Sequence, residues 1–262
     1  MAHKFSLAPE LYARAGRLRW VQAMGAGIED LMTAPIPADV LITRVIDQYG
    51  GMMSEYAFAH MLSHAQQLPR LLAAQQQRRW EPFRPGRLEG KRLGVAGAGS
   101  IGSEVARKGK AFGMEVWALV REPRPIAHAD RVFGPAGVAE FTAGVDYLVS
   151  VLPLTAETRG LINPALMKEG ALLINMGRGA TIDEGALLDA VRSGRIQAVL
   201  DVFTVEPLPE EHPFWTTPGI TVTPHISGLS VPAEVAALFA ENCRRFSAGE
   251  PLLGLVDRKR GY

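Results

Sequence analysis

The sequence predicts an α/β protein built on a doubly wound parallel sheet, and three observations carry that prediction. From residue 92 onward, short apolar runs at 93–96, 116–120, 147–152, 171–175, 198–202 and 221–223 alternate with helical patterns at 103–112, 164–167, 184–193 and 232–248. The runs hold few charges and little period-2 alternation, so both faces are expected to be covered, as in a parallel sheet with helices on each side. The first run leads straight into Gly97-Ala98-Gly99-Ser100-Ile101-Gly102 and then a helix.

Each glycine of that turn has a physical task. Gly97 permits the tight turn, Gly99 lets the backbone approach a pyrophosphate, and Gly102 lets the helix pack closely on the strand. The N–H groups of the helix start, at Ser100 and Ile101, then face phosphate charge. Glycine-rich turns also form for steric reasons alone, so the context matters. An NAD-specific turn is followed, about 20 residues on, by Asp or Glu at the end of the second strand. Here that strand ends at Val120, followed by Arg121, Glu122, Pro123 and Arg124. An arginine there can pair with a 2′-phosphate, so the cofactor is read as NADPH, with NADH the less favoured. Glu122 is the counterweight, able to turn Arg121 away or to accept the ribose itself.

Two short strands, 18–22 and 40–43, precede a helix or broken pair of helices over 55–77, interrupted near Pro69. Residues 80–86 are punctuated like a loop. The two regions differ in style, which predicts two domains. Asp183 is the expected N-cap of the helix that follows it, and Gly194 a stop signal.

Composition narrows the function. The chain has 262 residues, 47% of them hydrophobic, enough for a proper core. Its formal net charge is +1, from 28 basic and 27 acidic residues, which offers no broad electrostatic footprint for nucleic acid or a membrane surface. The single cysteine, Cys243, excludes an internal disulfide. The start of the chain lacks a signal-peptide core and no segment approaches the roughly 20 apolar residues of a membrane span, so a cytoplasmic protein is expected.

Ligands of an open parallel sheet bind outside the carboxyl ends of its strands. Three connections place chemistry there: Arg178 after the run ending at Asn175, Glu206 after 198–202, and His225 after 221–223. Hydride transfer to a 2-oxo acid needs a cation for the carboxylate, a proton donor for the carbonyl oxygen and a group to orient that donor. Arg178 suits the first task, His225 the second and Glu206 the third. Singly, each has a plainer reading, as a solvated turn, a core histidine or loop polarity. His212 lies in a Pro- and Glu-rich loop and is the weaker histidine. His60 and His64 share a helix at i, i+4 spacing, but no matching acidic ligand accompanies them, and the pair is read as structural with no metal.

These motifs, together with residues 151–158, 174–187, 200–208 and 223–228, occur in the order seen in D-isomer-specific 2-hydroxyacid dehydrogenases, which the chain resembles along nearly its whole length. The tail from Val256 and the stretch from Trp20 to Glu29 resemble the glyoxylate/hydroxypyruvate reductase branch. The resemblance implies a Rossmann-type cofactor domain over 54–231 and a smaller, flavodoxin-like substrate domain made from 1–53 plus 232–262. It implies Arg178, Glu206 and His225 as the catalytic set. Backbone N–H groups at Gly25, Ala26 and Gly27 would help hold the substrate carboxylate. Leu152, Pro153, Thr158, Met176, Asp201, His225 and Ser227 would line the cofactor, with Asp201 near the nicotinamide carboxamide. The expected partners are a small 2-oxo or 2-hydroxy acid and a second copy of the chain, joined through about residues 70–90.

One departure stands out. Family members carry about two more strand–helix units before the strand at 18–22, so the substrate domain is expected to be shortened at its N-terminus. The strands at 18–22 and 40–43 would then have an uncovered neighbour position, exposing apolar surface or pairing with another chain. Two other readings remain open beside the reductase. One is a dinucleotide-sensing interaction protein like the transcriptional corepressors built on this fold; the other is a catalytically silent, truncated relative acting as a dimerising scaffold.

Overall fold

The computed structural model describes residues 9–258. Residues 1–8 and 259–262, on which the reading of the chain's start and part of the tail resemblance rest, lie outside the described residues. In chain order the elements are α1 (Pro9–Arg14), β1 (Trp20–Gln22), α2 (Glu29–Thr33), β2 (Leu41–Thr43), α3 (Gly50–Gln66), α4 (Leu68–Gln76), β3 (Arg92–Ala96), α5 (Ser100–Ala111), β4 (Glu115–Leu119), β5 (Arg131–Phe133), α6 (Val138–Gly144), β6 (Tyr147–Ser150), β7 (Ala171–Asn175), α7 (Glu184–Arg192), β8 (Ile196–Leu200), β9 (Ile220–Val222) and α8 (Pro232–Ala248). They form two compact units, residues 50–228 and residues 1–49 with 229–262. The divisions fall a few residues before the expected 53/54 and 231/232. The first shift has a simple cause: α3 is continuous from Gly50, and the chain changes unit at its start.

The larger unit holds a seven-stranded sheet in the order β5-β4-β3-β6-β7-β8-β9, every pair parallel. The winding reverses between β3 and β6, which makes their carboxyl ends the topological switch point. All residues of β6 and β7 are buried, which is why they read as apolar runs up to their last residues, Ser150 and Asn175. Phe141, Leu148, Leu173, Leu187 and Phe214 belong to one core cluster.

Several boundaries differ from expectation. Strand β5 and helix α6 are additional elements. Helix α5 starts at Ser100, inside the glycine turn, and not at 103, because Gly99 itself is the N-cap. The expected helix at 164–167 is one 3-10 turn, Pro164–Leu166, capped by the Asn163 side chain. The helical stretch 55–77 is two helices broken at Gln67, whose φ of 51° is left-handed, two residues before Pro69. Asp183 caps α7 by accepting the N–H of Ala186 at 2.9 Å.

In the smaller unit, β1 and β2 form a parallel pair over a core of Tyr12, Ile28, Ile36, Val40, Ile42 and Val256. Trp20 stacks on Phe239 and Phe246 of α8, at centroid distances of 5.5 and 5.6 Å. The far edge of β2 is not open as expected. Residues 254–256 of the same chain cover it: Arg44 N–H donates to the Gly254 carbonyl, Val256 N–H donates to the Ile42 carbonyl, and Thr43 bridges Leu255 antiparallel. The far edge of β1 pairs with no strand among the described residues.

Candidate active site

The hydrogen-bond ladder of the larger sheet runs one residue past the strand ends. Gly97, Val151, Met176, Asp201 and Thr223 each donate their N–H to the last residue of a neighbouring strand, at 2.9–3.0 Å. Five connections therefore leave the sheet side by side along its carboxyl edge.

At the first, Gly97 has φ 95°, a conformation open to glycine, and a Cβ there would press on the Val151 backbone. A Cβ at Gly102 would collide with the Gly97 carbonyl, whereas one at Gly99 would meet nothing. Space is thus closed where the helix packs and open where a phosphate would approach. The first turn of α5 carries no acidic residue and no capping side chain, so its N–H groups offer themselves to an anion. These residues fit a dinucleotide pyrophosphate. Strand β4 ends at Leu119, and Val120, Arg121 and Arg124 follow it, both arginines exposed. The Arg121 charge helps to hold the Glu157 carboxyl below its ordinary range, behind the Thr155 hydroxyl and Glu157's own backbone N–H.

After β6 come Leu152 and Pro153, and the Thr158 hydroxyl donates to the Pro153 carbonyl at 2.6 Å, closing the loop. After β7, Asn175 organises the Arg178 turn. Its amide nitrogen donates to the Arg178 carbonyl at 3.1 Å and its oxygen accepts the Gly177 N–H at 3.2 Å. Thr181 Oγ1 donates to the same carbonyl at 2.7 Å. A Cβ at Gly179 would run into the Phe203 backbone, so this turn is seated against the next connection. The guanidinium of Arg178 reaches the Gly177 carbonyl at 2.6 Å.

The last two connections bring a carboxylate and an imidazole together. Glu206 Oε2 lies 2.7 Å from His225 Nδ1, and Glu206 Oε1 accepts the Phe203 N–H at 3.1 Å. Both carboxylate oxygens are occupied, so the carboxylate plane is set. A carboxylate accepts, hence Nδ1 donates, and a proton exchanged with a ligand would pass through Nε2. The two side chains are 31% and 28% exposed, reachable but partly screened from water. His225 has φ 54°, a left-handed conformation that costs an L-residue roughly 1–2 kcal/mol. Asp201, fully buried, holds the loop in that shape: Oδ1 accepts from Thr223 Oγ1 at 2.5 Å and from the Ile226 N–H at 2.9 Å, and Oδ2 accepts the Ser227 N–H at 2.9 Å.

His212, His60 and His64 have structural occupations. His212 Nδ1 accepts the Phe214 N–H at 3.3 Å and caps a 3-10 turn. His60 packs on Tyr56 and His64 on Tyr147. Among the described residues no group of three His, Cys, Asp or Glu side chains could hold a metal, and no helix is long and apolar enough to cross a membrane. In the smaller unit, the loop holding Gly25, Ala26 and Gly27 follows β1; the Gly25 carbonyl accepts the Val45 N–H at 3.0 Å, and a Cβ on Gly25 would meet nothing. Sequence reasoning passed over Thr223 and Tyr56. The Tyr56 hydroxyl lies 2.7 Å from Thr223 Oγ1. The polar residue directly after β9 was the available signal for Thr223; a tyrosine within a helix offers none.

A glycine turn at the switch point, beside an arginine and a carboxylate-oriented histidine, defines a dinucleotide-dependent oxidoreductase. The family model described as the NAD-binding domain of D-isomer-specific 2-hydroxyacid dehydrogenases matches residues 58–227. The chain belongs to that family and is an NAD(P)-dependent 2-hydroxyacid dehydrogenase. It is 37% identical to glyoxylate/hydroxypyruvate reductase A of Serratia proteamaculans, over 97% of this chain and 84% of the relative. Among solved structures it is similar to a D-isomer-specific 2-hydroxyacid dehydrogenase of Xanthobacter autotrophicus in complex with NADPH and MES. The TM-score is 0.91 at 37% identity, covering 98% of this chain and 84% of that one. It is likewise similar to the NADPH-dependent glyoxylate/hydroxypyruvate reductase of Sinorhizobium meliloti in complex with NADP and sulfate. There the TM-score is 0.90 at 34% identity, with coverage of 98% and 84%.

Proposed function

We propose that this enzyme reduces a small 2-oxo acid, of the glyoxylate or hydroxypyruvate kind, to the D-2-hydroxy acid with NADPH. The observation that carries this reading is the oriented His225–Glu206 pair on the same sheet edge as Arg178 and the glycine turn. The names of the Serratia and Sinorhizobium relatives, and the NADP(H) bound in the two solved structures, support the substrate class and the cofactor.

The nicotinamide, when bound, supplies a hydride to the substrate's C2. His225 gives its Nε2 proton to the carbonyl oxygen, while Glu206 holds the ring in place. Arg178 grips the substrate carboxylate with two parallel N–H donors, assisted by the N–H groups of Gly25, Ala26 and Gly27. Gly97, Gly99, Ser100, Ile101 and Gly102 cradle the pyrophosphate. Leu152, Pro153, Thr158, Met176, Asp201, His225 and Ser227 line the remainder, and Arg121 and Arg124 meet the 2′-phosphate.

The smaller unit is the substrate domain, of flavodoxin-like descent. The one free cysteine suits a reducing compartment such as the cytoplasm. A second copy of the chain is the proposed partner through about residues 70–90, on α4 and the segment that follows it. There a groove of about 620 Å³ is lined by Leu71, Ala74, Arg78, Phe83 and Pro85, and Trp80 is 95% exposed.

The test is NADPH oxidation with a panel of glyoxylate, hydroxypyruvate and pyruvate, repeated with NADH. Turnover of the first two with NADPH is expected. Binding of NADPH without turnover of any 2-oxo acid would return the chain to the sensing or scaffold readings.

A further inference from the structure

Thr223 is tied to its surroundings on every side. Its N–H donates to the Leu200 carbonyl and its own carbonyl accepts the His225 N–H, both at 3.0 Å. Its hydroxyl has one proton, and that proton goes to Asp201 Oδ1. The 2.7 Å contact between Tyr56 and Thr223 therefore has a single direction: the phenol donates and the threonine oxygen accepts. Burial pushes the Tyr56 hydroxyl up to about 12, so it keeps its proton at any working pH. A directed chain, Tyr56 to Thr223 to Asp201, thus runs from α3 into the carboxylate that also receives the Ile226 and Ser227 N–H groups.

We propose that Tyr56 is a positioning residue for the reduction, acting through Thr223 and Asp201 to keep the His225 loop in its left-handed conformation. The inference rests on the reading of His225 as proton donor. His225 reaches Glu206 from a left-handed backbone conformation, and the acceptors that stabilise it are the two oxygens of Asp201 and the carbonyl of Thr223. Without the phenol, Thr223 Oγ1 loses its donor, and its hydroxyl is free to rotate away from Asp201. The loop then samples conformations in which Nε2 is misdirected, although the pocket for NADPH is intact. Small displacements of a proton donor are costly in rate.

The test uses Tyr56→Phe, which keeps the ring and its packing against His60, together with Thr223→Val and Thr223→Ser. Tyr56→Phe is expected to lower kcat for glyoxylate reduction about tenfold, the scale of one lost hydrogen bond, with the NADPH Kd and the melting temperature close to wild type. Thr223→Val should lose a similar factor and Thr223→Ser recover most of it, because the serine restores the hydroxyl. In a His225→Gln background, Tyr56→Phe should cost nothing further, since the residue through which it acts is gone. Wild-type kcat in both Tyr56→Phe and Thr223→Val, or the same loss from Tyr56→Phe in the His225→Gln background, overturns the proposal. If His225→Gln is itself fully active, the proton-donor reading falls first and takes this inference with it.

Discussion

The imidazole of His225 and the carboxylate of Glu206 meet at 2.7 Å, although β9, the 3-10 turn Pro213–Trp215 and a proline-rich loop separate them along the chain. In the proposed mechanism, reduction consumes the proton held on that pair. His225→Gln is expected to lower kcat by about 10²–10⁴-fold while NADPH titrations stay near wild type. Initial rates in both directions check this, and wild-type rates in the variant would remove His225 from the proton transfer.

Arg178 sits on a turn framed by Asn175 and Thr181, so its replacement should leave the backbone in place. Arg178→Lys is expected to raise the substrate KM by about tenfold or more, since an ammonium cannot reproduce a planar two-bond grip. The NADPH Kd should hardly move. A normal KM in the lysine variant would return Arg178 to an ordinary surface turn.

Arg121 follows a strand that ends without an acidic residue. Arg121→Ala is expected to cut kcat/KM with NADPH by about tenfold and leave NADH little changed, because only NADPH carries the phosphate that a guanidinium can pair with. The ratio of the two efficiencies is the measurement. An unaltered ratio would shift the specificity to other residues.

His64 is half-buried on α3 beside Tyr147, and that burial lowers its pKa below the ordinary 6.5. The unfolded chain then takes up this proton more readily than the folded one. The stability tied to the neutral ring is therefore present above about pH 6.5 and lost as pH falls through the depressed folded value. Melting curves should show a fall in Tm between about pH 7.5 and about pH 5.5, and His64→Phe should flatten it by about 2 °C. An equally steep fall in the variant would assign the acid sensitivity elsewhere.

The central strands were legible because a parallel strand covered on both faces is apolar along most of its length, as 147–149 and 171–174 are. Strand β5 was not, since three residues beginning with a half-solvated Arg131 hold too little pattern. The strand-end positions of Arg178, Glu206 and His225 could be read because each follows an apolar run by a few residues. The Tyr56 hydroxyl could not: it reaches Thr223 across 167 residues of chain, and only tertiary packing brings the two together.

The stack of Trp20 between Phe239 and Phe246 carries a consequence for biogenesis. Residues 50–228 are contiguous and can fold as they leave the ribosome, but Trp20 must wait until α8 has been translated before its aromatic neighbours exist. The segment before Gly50 therefore lacks those aromatic neighbours and Val256 while residues 50–228 already hold all of their own sheet. Truncation just before Pro232 should leave a folded dinucleotide domain with an unravelled, protease-sensitive leader.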